Sequence, residues 1–503
     1  MKQYDEAIAE ARALLKAKGY YSALESVLLW DESQHLPQAA EAYRHEVVHY
    51  FSHKKHELLA GDSSIALADY FSSLSPEDYA NDYDRALGRS VLRLRRLESS
   101  VPAELQLRLN EAMSNAGRAF AEGRQLNDFS VCEKAYKSLF DLKKEIALII
   151  DPNSDPFETA MDIWDEGISL SETVALFDRL KNAVSTLLKK IQESGKQIDN
   201  SVLQVSYDKD AVKSLIKKMI REVGLPEECS SFGTLQHPAC EMLGPRDSRI
   251  GLNCDNLVFS IISSLHEAGH GIYNIRSDER LIENGLWGGI SGAVHEGMAR
   301  FYENMLGRSR AFWTYYYPQL QAVVPDLSAV SLEQFYLALN KVSDSLIRVS
   351  ADELSYNLHP IIRFEVERDY FDGKINIDEM RHAWNARYKA YFGREPKDDL
   401  EGILQEGHWT IGYIGYFQSY AIGNLWDGQM LHYMLQDIPN VYDEVARGNF
   451  KPFNDWIAEH IHHYGNLYAP AELILKATGE PLNADYYITY LKEKYSDLYG
   501  LDL

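Results

Sequence analysis

One stretch constrains this chain more than any other: Ser263-Ser264-Leu265-His266-Glu267-Ala268-Gly269-His270-Gly271-Ile272, which reads H-E-x-x-H. On a helix, residues four apart stand nearly above one another, because a turn takes about 3.6 residues. Both imidazoles can then reach one metal ion, at about 2.0–2.1 Å for zinc. Glu267 sits where it can take a proton from a metal-bound water. Leu257, Val258, Phe259, Ile261 and Ile262 form an apolar lead-in, and Ala268, Gly269 and Gly271 are small. The stretch therefore predicts a buried helix passing close to other backbone.

Spacing alone does not single out this site. His45-Glu46-Val47-Val48-His49 also reads H-E-x-x-H, and His53 and His56 extend it into a histidine stripe. Charged and amide residues surround that copy, and nothing downstream matches it with a third ligand, so it reads as the polar face of a helix over about 37–59. The downstream copy has a candidate third ligand. Ala293-Val294-His295-Glu296-Gly297-Met298-Ala299-Arg300 opens a second helical pattern, with glycines 285, 288, 289 and 292 between. His266, His270 and Glu296 on two crossed helices would leave a fourth position open for water, as a catalytic zinc requires; a structural zinc is closed by four ligands, usually with cysteine.

The rest of the chain predicts a mainly α fold. Amphipathic helices are expected from Tyr4 to Lys18 (ended by Gly19), at Ala23–Asp31, Leu87–Leu97, Ala103–Ala121, Ser171–Ser194, Asp208–Val223, Ser331–Leu358 and Asn376–Tyr391. Pro226 to Cys254 is the least helical stretch, so a small sheet belongs there, over the metal helix. No repeat or clear boundary divides the chain. It reads as one domain over 1–503, with a helical N-terminal part, 1–150, and a part, 151–503, that carries the metal site. A net charge of −24 argues against nucleic acid or an anionic membrane as partner. The first residues form no secretion signal, and no apolar run approaches membrane-spanning length. Four cysteines without a C-x-x-C pair point to free thiols and a cytoplasmic protein.

Peptide hydrolysis at such a site needs more than a metal and a base. The tetrahedral oxyanion needs a neutral donor; His408, Tyr416 and Tyr420, in an unusual aromatic and glycine-rich run, are candidates. An enzyme cutting at the C-terminus also needs a cation for the terminal carboxylate, and arginine's planar fork suits both oxygens. Arg249 and Arg348 are the candidates, although each has an aspartate in its own motif (Asp247, Asp352) and an internal ion pair is an equal alternative.

These motifs, in this order, resemble the carboxypeptidase Taq family of metallocarboxypeptidases. His266 to His270 resembles its metal motif, and His295-Glu296-Gly297 its H-E-S/G-Q segment. Asp247 to Gly251 resembles D-x-R-x-T, Ile347 to Asp352 I/V-R-x-x-A-D, Gly402 to Trp409 G-x-x-Q-D-x-H-W, and His237-Pro238-Ala239 H-P-F. The similarity runs from Leu29-Trp30-Asp31 to Gly479-Glu480-Pro481. It implies a large helical zincin-like fold with a deep central groove formed by the 151–503 part, and a homodimer. It also implies one divalent metal per chain, zinc first and cobalt as the alternative. His266, His270 and Glu296 become metal ligands, Glu267 the general base, and Arg348, then Arg249, the receivers of the substrate carboxylate. His408, Tyr416 and Tyr420 are placed near the reacting carbonyl, with His237 and Gln405 among the substrate-binding residues.

The chain departs from the pattern at Ala239 (for Phe), Gly251 (for Thr), Met298 (for Gln), Glu406 (for Asp) and Gln418 (where proline is common), all expected beside the groove. Met298 in particular removes an amide next to Glu296. The reading is a metal-dependent carboxypeptidase acting on peptides with a free C-terminus and releasing single amino acids, through a metal-bound water activated by Glu267. The alternatives are a dipeptidyl carboxypeptidase or oligopeptidase using the same site, a peptide-binding homologue without turnover, and a metal store built on the histidine stripe.

Overall fold

The computed structural model describes residues 3–343 and 345–502. Helices dominate, with one small sheet between Ser230 and Leu252, and the expected mainly α class holds. The buried apolar side chains form one cluster reaching from Ala7 to Tyr499.

The chain opens with a long helix, Tyr4–His35, paired with Glu41–Ala60. Gly19 was expected to end the first helix, but the helix runs through it. A glycine weakens a helix interior by about 1 kcal/mol without breaking it when good helix formers flank it, and nothing lies within 4 Å of where a Cβ would stand. Where helices do stop, the chain changes conformation: Asn127 takes φ 54 after Ala103–Leu126, and Gly195 takes φ 66 after Leu170–Ser194.

The sheet has the order β1 (Ser230–Thr234), β3 (Asp247–Leu252), β2 (Ala239–Gly244), with β1 parallel and β2 antiparallel to β3. Ser248, Ile250 and Leu252 alternate to one face and are buried. Ser248 Oγ lies 3.5 Å from the Gly271 carbonyl and Asn274 donates to the Gly244 carbonyl at 2.8 Å, so this face lies on the H-E-x-x-H helix.

That helix, Leu257–Ile275, starts with the Asn256 side chain accepting from the Phe259 amide at 2.9 Å. The helix Gly292–Arg300 crosses it, and Gln418–Asp437 packs behind. Glycine sets both spacings. A Cβ on Gly269 would fall 2.7 Å from Ala299 Cα and from the Met298 carbonyl, and one on Gly423 would fall 2.8 Å from the Gly297 nitrogen. No real Cβ tolerates such contacts, so these backbones touch only because both positions lack a side chain.

The helix expected over Ser331–Leu358 is broken. Leu332–Leu339 ends at Asn340, whose buried amide bonds back to the Tyr336 carbonyl at 3.1 Å and across to Arg308 at 3.3 Å. Helix resumes only after Asp352, whose carboxylate accepts from the Leu354 and Ser355 amides at 3.0 Å each and from the Ser343 amide at 2.8 Å. Asn and Asp side chains compete here with the helical hydrogen bonds. Arg348 consequently stands in a connecting segment, in a 3-10 turn Arg348–Ser350, instead of on a long helix. No helix among the described residues is long and apolar enough to cross a membrane.

Two alanine substitutions should act in opposite directions. Gly269→Ala should lower unfolding stability by about 1–3 kcal/mol through backbone overlap, and Gly19→Ala should raise it by about 0.5–1 kcal/mol. Chemical denaturation of the metal-free protein measures both.

Candidate active site

Among the described residues, one group of three ligand-type side chains has its donor atoms within 4.8 Å of one another: His266, His270 and Glu296. Each Nε2 faces the Glu296 carboxylate, His266 at 3.8 Å from Oε1 and His270 at 3.8 Å from Oε2. Each Nδ1 is committed elsewhere, to Glu303 Oε2 at 3.0 Å and to His295 Nδ1 at 2.8 Å. Both Nε2 atoms thereby face inward, the nitrogens a metal ligand must present once they are free of a proton. The donor set of two imidazoles and a carboxylate suits zinc or another borderline divalent ion.

The sequence reading missed Glu303 and the role of His295. Glu303 sits where Gly292–Arg300 widens into a π turn, Phe301–Leu306, with the Gly307 amide donating to the Tyr302 carbonyl at 2.9 Å. Such turns re-aim side chains at functional sites. Arg300 donates to Glu303 at 3.0 Å and to Asn424 at 3.0 Å, while its guanidinium lies 3.9 Å from the Tyr356 ring centre. The available signal was the polar spacing of Glu296, Arg300 and Glu303 on an apolar helix.

Charge follows this layout. Burial works against ionised Glu303, yet Arg300, His266 and Arg308 hold it down to about 2. Burial lowers His266, but Glu296, Glu303 and Glu267 together carry it up to about 9. His270, buried beside His295 and His266, is held well below the usual histidine range. Burial pushes Glu267 up to about 7; His266 opposes the shift, while Glu296 and Glu303 add to it. Three carboxylates thus surround a histidine pair in the interior, with Arg300 and Arg308 beside Glu303.

The three site elements open onto a groove of about 2810 Å³ lined by β2, the H-E-x-x-H helix and the segment around Arg348. His408 lines it, with its ring Nδ1 and its amide both donating to Glu406 Oε1, at 2.6 and 2.8 Å. Its Nε2 lies 3.2 Å from the Tyr420 hydroxyl. Glu406 is itself buried and paired with buried Arg363 at 2.5 Å. Tyr416 lies edge-on to Tyr420 at 5.3 Å and lines the groove, and its hydroxyl has no hydrogen-bond partner among the described residues.

The two arginine candidates separate. Arg348 lines the groove; it donates to Tyr356 Oη at 3.0 Å, its guanidinium lies 5.0 Å from the Tyr420 ring centre, and among the described residues no carboxylate lies within ion-pair distance of it. Asp352, its suspected partner, is spent on the helix cap. Arg249 instead forms a two-pronged ion pair with Asp247, at 2.5 and 2.8 Å, and does not line the groove. Its strand position points it away from the face that meets the H-E-x-x-H helix, so the expected second substrate arginine is not brought to the site. His237 is exposed at the groove wall. Gln405 also lines it, but its amide is already engaged: it accepts from the Arg348 amide at 2.9 Å and donates to the Leu346 carbonyl at 2.9 Å, bracing the arginine segment.

Of the five departures, only Ala239 lines the groove; the other four lie beneath it. Gly251 accommodates Leu235, Met298 is buried with its carbonyl against Gly269, and Glu406 holds His408. Gln418 donates to buried Asp165 at 3.0 Å, which also accepts from the Ala293 amide at 2.6 Å at the start of the Glu296 helix. The upstream His45 copy stays exposed, with His45 3.4 Å from Glu32.

The profile of the carboxypeptidase Taq (M32) metallopeptidases matches residues 10–495. The chain belongs to this family. It is 32% identical over 475 residues to thermostable carboxypeptidase 1 of Pyrococcus furiosus, covering 94% of this chain and 95% of that one. Carboxypeptidase 1 of Bacillus subtilis is also 32% identical, over 97% and 98%. Among solved structures, a Pyrococcus furiosus carboxypeptidase superposes with a TM-score of 0.94 at 30% identity, over 98% of this chain and 99% of that one. The M32 carboxypeptidase of Deinococcus radiodurans gives 0.92 at 30% identity, over 98% and 100%. The chain is accordingly a peptide-bond hydrolase of the metallocarboxypeptidase class.

If the Glu303 carboxylate sets the orientation and basicity of His266, Glu303→Gln should weaken metal binding by about 10–100-fold. Competition with a chelator of known affinity reads this directly.

Proposed function

We propose that this chain removes amino acids one at a time from the C-terminus of peptides, with His266, His270 and Glu296 holding one divalent ion, zinc in first place and cobalt as the alternative. The observation that carries the reading is Arg348: a half-buried guanidinium in the groove that His266, His270 and Glu296 also line, with no carboxylate paired to it among the described residues. An internal-cutting peptidase has no use for such a charge, whereas a terminal carboxylate would complete it.

The metal, when bound, supplies Lewis acidity toward the scissile carbonyl and toward the attacking water. Glu267 takes a proton from that water and delivers it to the leaving amine; its elevated proton affinity suits both halves of the task. Tyr416 is the donor best placed for the developing oxyanion, because its hydroxyl is uncommitted. His408 donates from Nδ1 to Glu406 and meets the Tyr420 hydroxyl at Nε2, so this pair orients the wall behind Tyr416. Tyr356 links the two cationic parts of the site: it accepts from Arg348 and lies under Arg300.

The continuous core supports reading the whole chain as one peptidase domain. We also place it in the cytoplasm, as a homodimer. The low cysteine count supports the first and the family resemblance the second.

Mass spectrometry of an unblocked ten-residue peptide tests the reading. A ladder losing one residue at a time, absent with Glu267→Gln and after chelation, is the expected result. Steps of two or internal cuts would overturn the role of Arg348. Tyr416→Phe should lower kcat by about 100-fold with little change in KM, and Arg348→Met should lower kcat/KM for peptides with a free carboxylate while leaving that for their amidated forms unchanged.

A further inference from the structure

The groove carries the opposite charge to the molecule around it. The whole chain has a net charge of −24, yet among the described residues the groove wall away from the candidate metal ligands is lined by Arg124, Lys189, Lys196, Lys341 and Arg394, against two carboxylates, Asp255 and Asp352. Neither carboxylate is free. Asp255 pairs with Lys209 at 2.7 Å, and Asp352 is consumed by backbone amides. Lys189 lies 3.8 Å from Glu193 and Arg394 lies 3.2 Å from Glu401, so those two are partly compensated.

The three remaining cations meet only neutral partners. Arg124 donates to the Leu404 carbonyl at 2.5 Å and lies over the Phe120 ring. Lys196 donates to the Leu498 carbonyl at 2.6 Å, and Lys341 to the Asn200 side-chain oxygen at 3.1 Å. None has a carboxylate within 4.0 Å among the described residues. Their exposure is graded: Lys341 is half-buried, and Lys196 and Arg124 are exposed. A peptide has to enter this same groove to bring its terminal carboxylate to Arg348, and so it meets the field of these cations on the way in.

We propose that the rim selects peptides with acidic residues upstream of the bond that is cut. The preference rests on the carboxypeptidase reading and adds the substrate class to it. A low-dielectric cleft lined by one sign of charge focuses its field and raises association rates by about 10–10³, an effect that salt suppresses. The net charge of −24 sharpens the contrast, since the chain taken as a whole repels anionic peptides.

The test uses three ten-residue peptides with identical last three residues and upstream positions filled alternately by alanine and Glu, Gln or Lys. At about 10 mM ionic strength, kcat/KM for the first released residue should be about tenfold or more higher for the Glu peptide than for the Lys peptide. The ratio should fall below about threefold at about 500 mM. Reversing charge with Lys196→Glu and Lys341→Glu together should cut the low-salt ratio by about tenfold. Binding of the same peptides, fluorescently labelled, to Glu267→Gln protein reads the preference without turnover. Equal affinity and equal rates for all three, a preference for Lys, or a ratio untouched by the double reversal would each overturn the proposal. Failure of the native protein to shorten even the Gln peptide would instead overturn the carboxypeptidase reading, and the binding arm would still decide the rim.

Discussion

The site depends on how closely two helix backbones approach. His266 and His270 come from one helix and Glu296 from another, and their donor atoms fall within 4.8 Å only because Gly269 lets the second helix rest on the first. The same device is repeated one layer back, where Gly297 meets Gly423. A methyl group at either crossing would separate the helices by a few tenths of an ångström or more. Such a shift is large against the tolerance of metal coordination, where bond lengths vary by about 0.2 Å. Packing and chemistry are therefore one problem in this molecule.

Around that crossing, polar groups are used in pairs that face opposite ways. Each histidine of the candidate metal group turns Nε2 toward Glu296 and anchors Nδ1, one to a carboxylate and one to a second imidazole. The two imidazoles thus have unequal electron donation. His408 follows the same plan on the far wall, with Glu406 behind it and Arg363 behind Glu406. Buried ion pairs seldom add net stability against an apolar alternative. Here the pair Arg363–Glu406 fixes an imidazole that lines the groove, which explains why charge is kept in the interior.

The long-range field has a different origin. The metal centre balances its carboxylates with Arg300 and Arg308, while the wall opposite collects arginines and lysines whose partners are carbonyls and amides. Composition describes a strongly acidic protein, and the groove is the place where that description fails. Net charge sums over the surface, whereas a ligand feels the residues that line its path.

The sequence by itself determined the helical class, the position of the small sheet and the grouping of His266, His270 and Glu296. These rest on local periodicity and on spacings a helix converts into geometry, and a spacing of four means the same thing wherever the helix lies. It also held the two candidate arginines in balance and could not separate them, because both motifs contain an aspartate. Only tertiary structure decided that Arg249 closes on Asp247 while Arg348 is left facing the groove. The difference arises because Asp352 is claimed by helix-capping amides, and because Asn340 and Asp352 break the helix expected across this segment. The parts played by Glu303, His295 and Glu406, and the basic rim, were decided in the same way: each joins residues distant in sequence or re-aimed by a π turn, and no one-dimensional pattern encodes which side chain such a residue will meet.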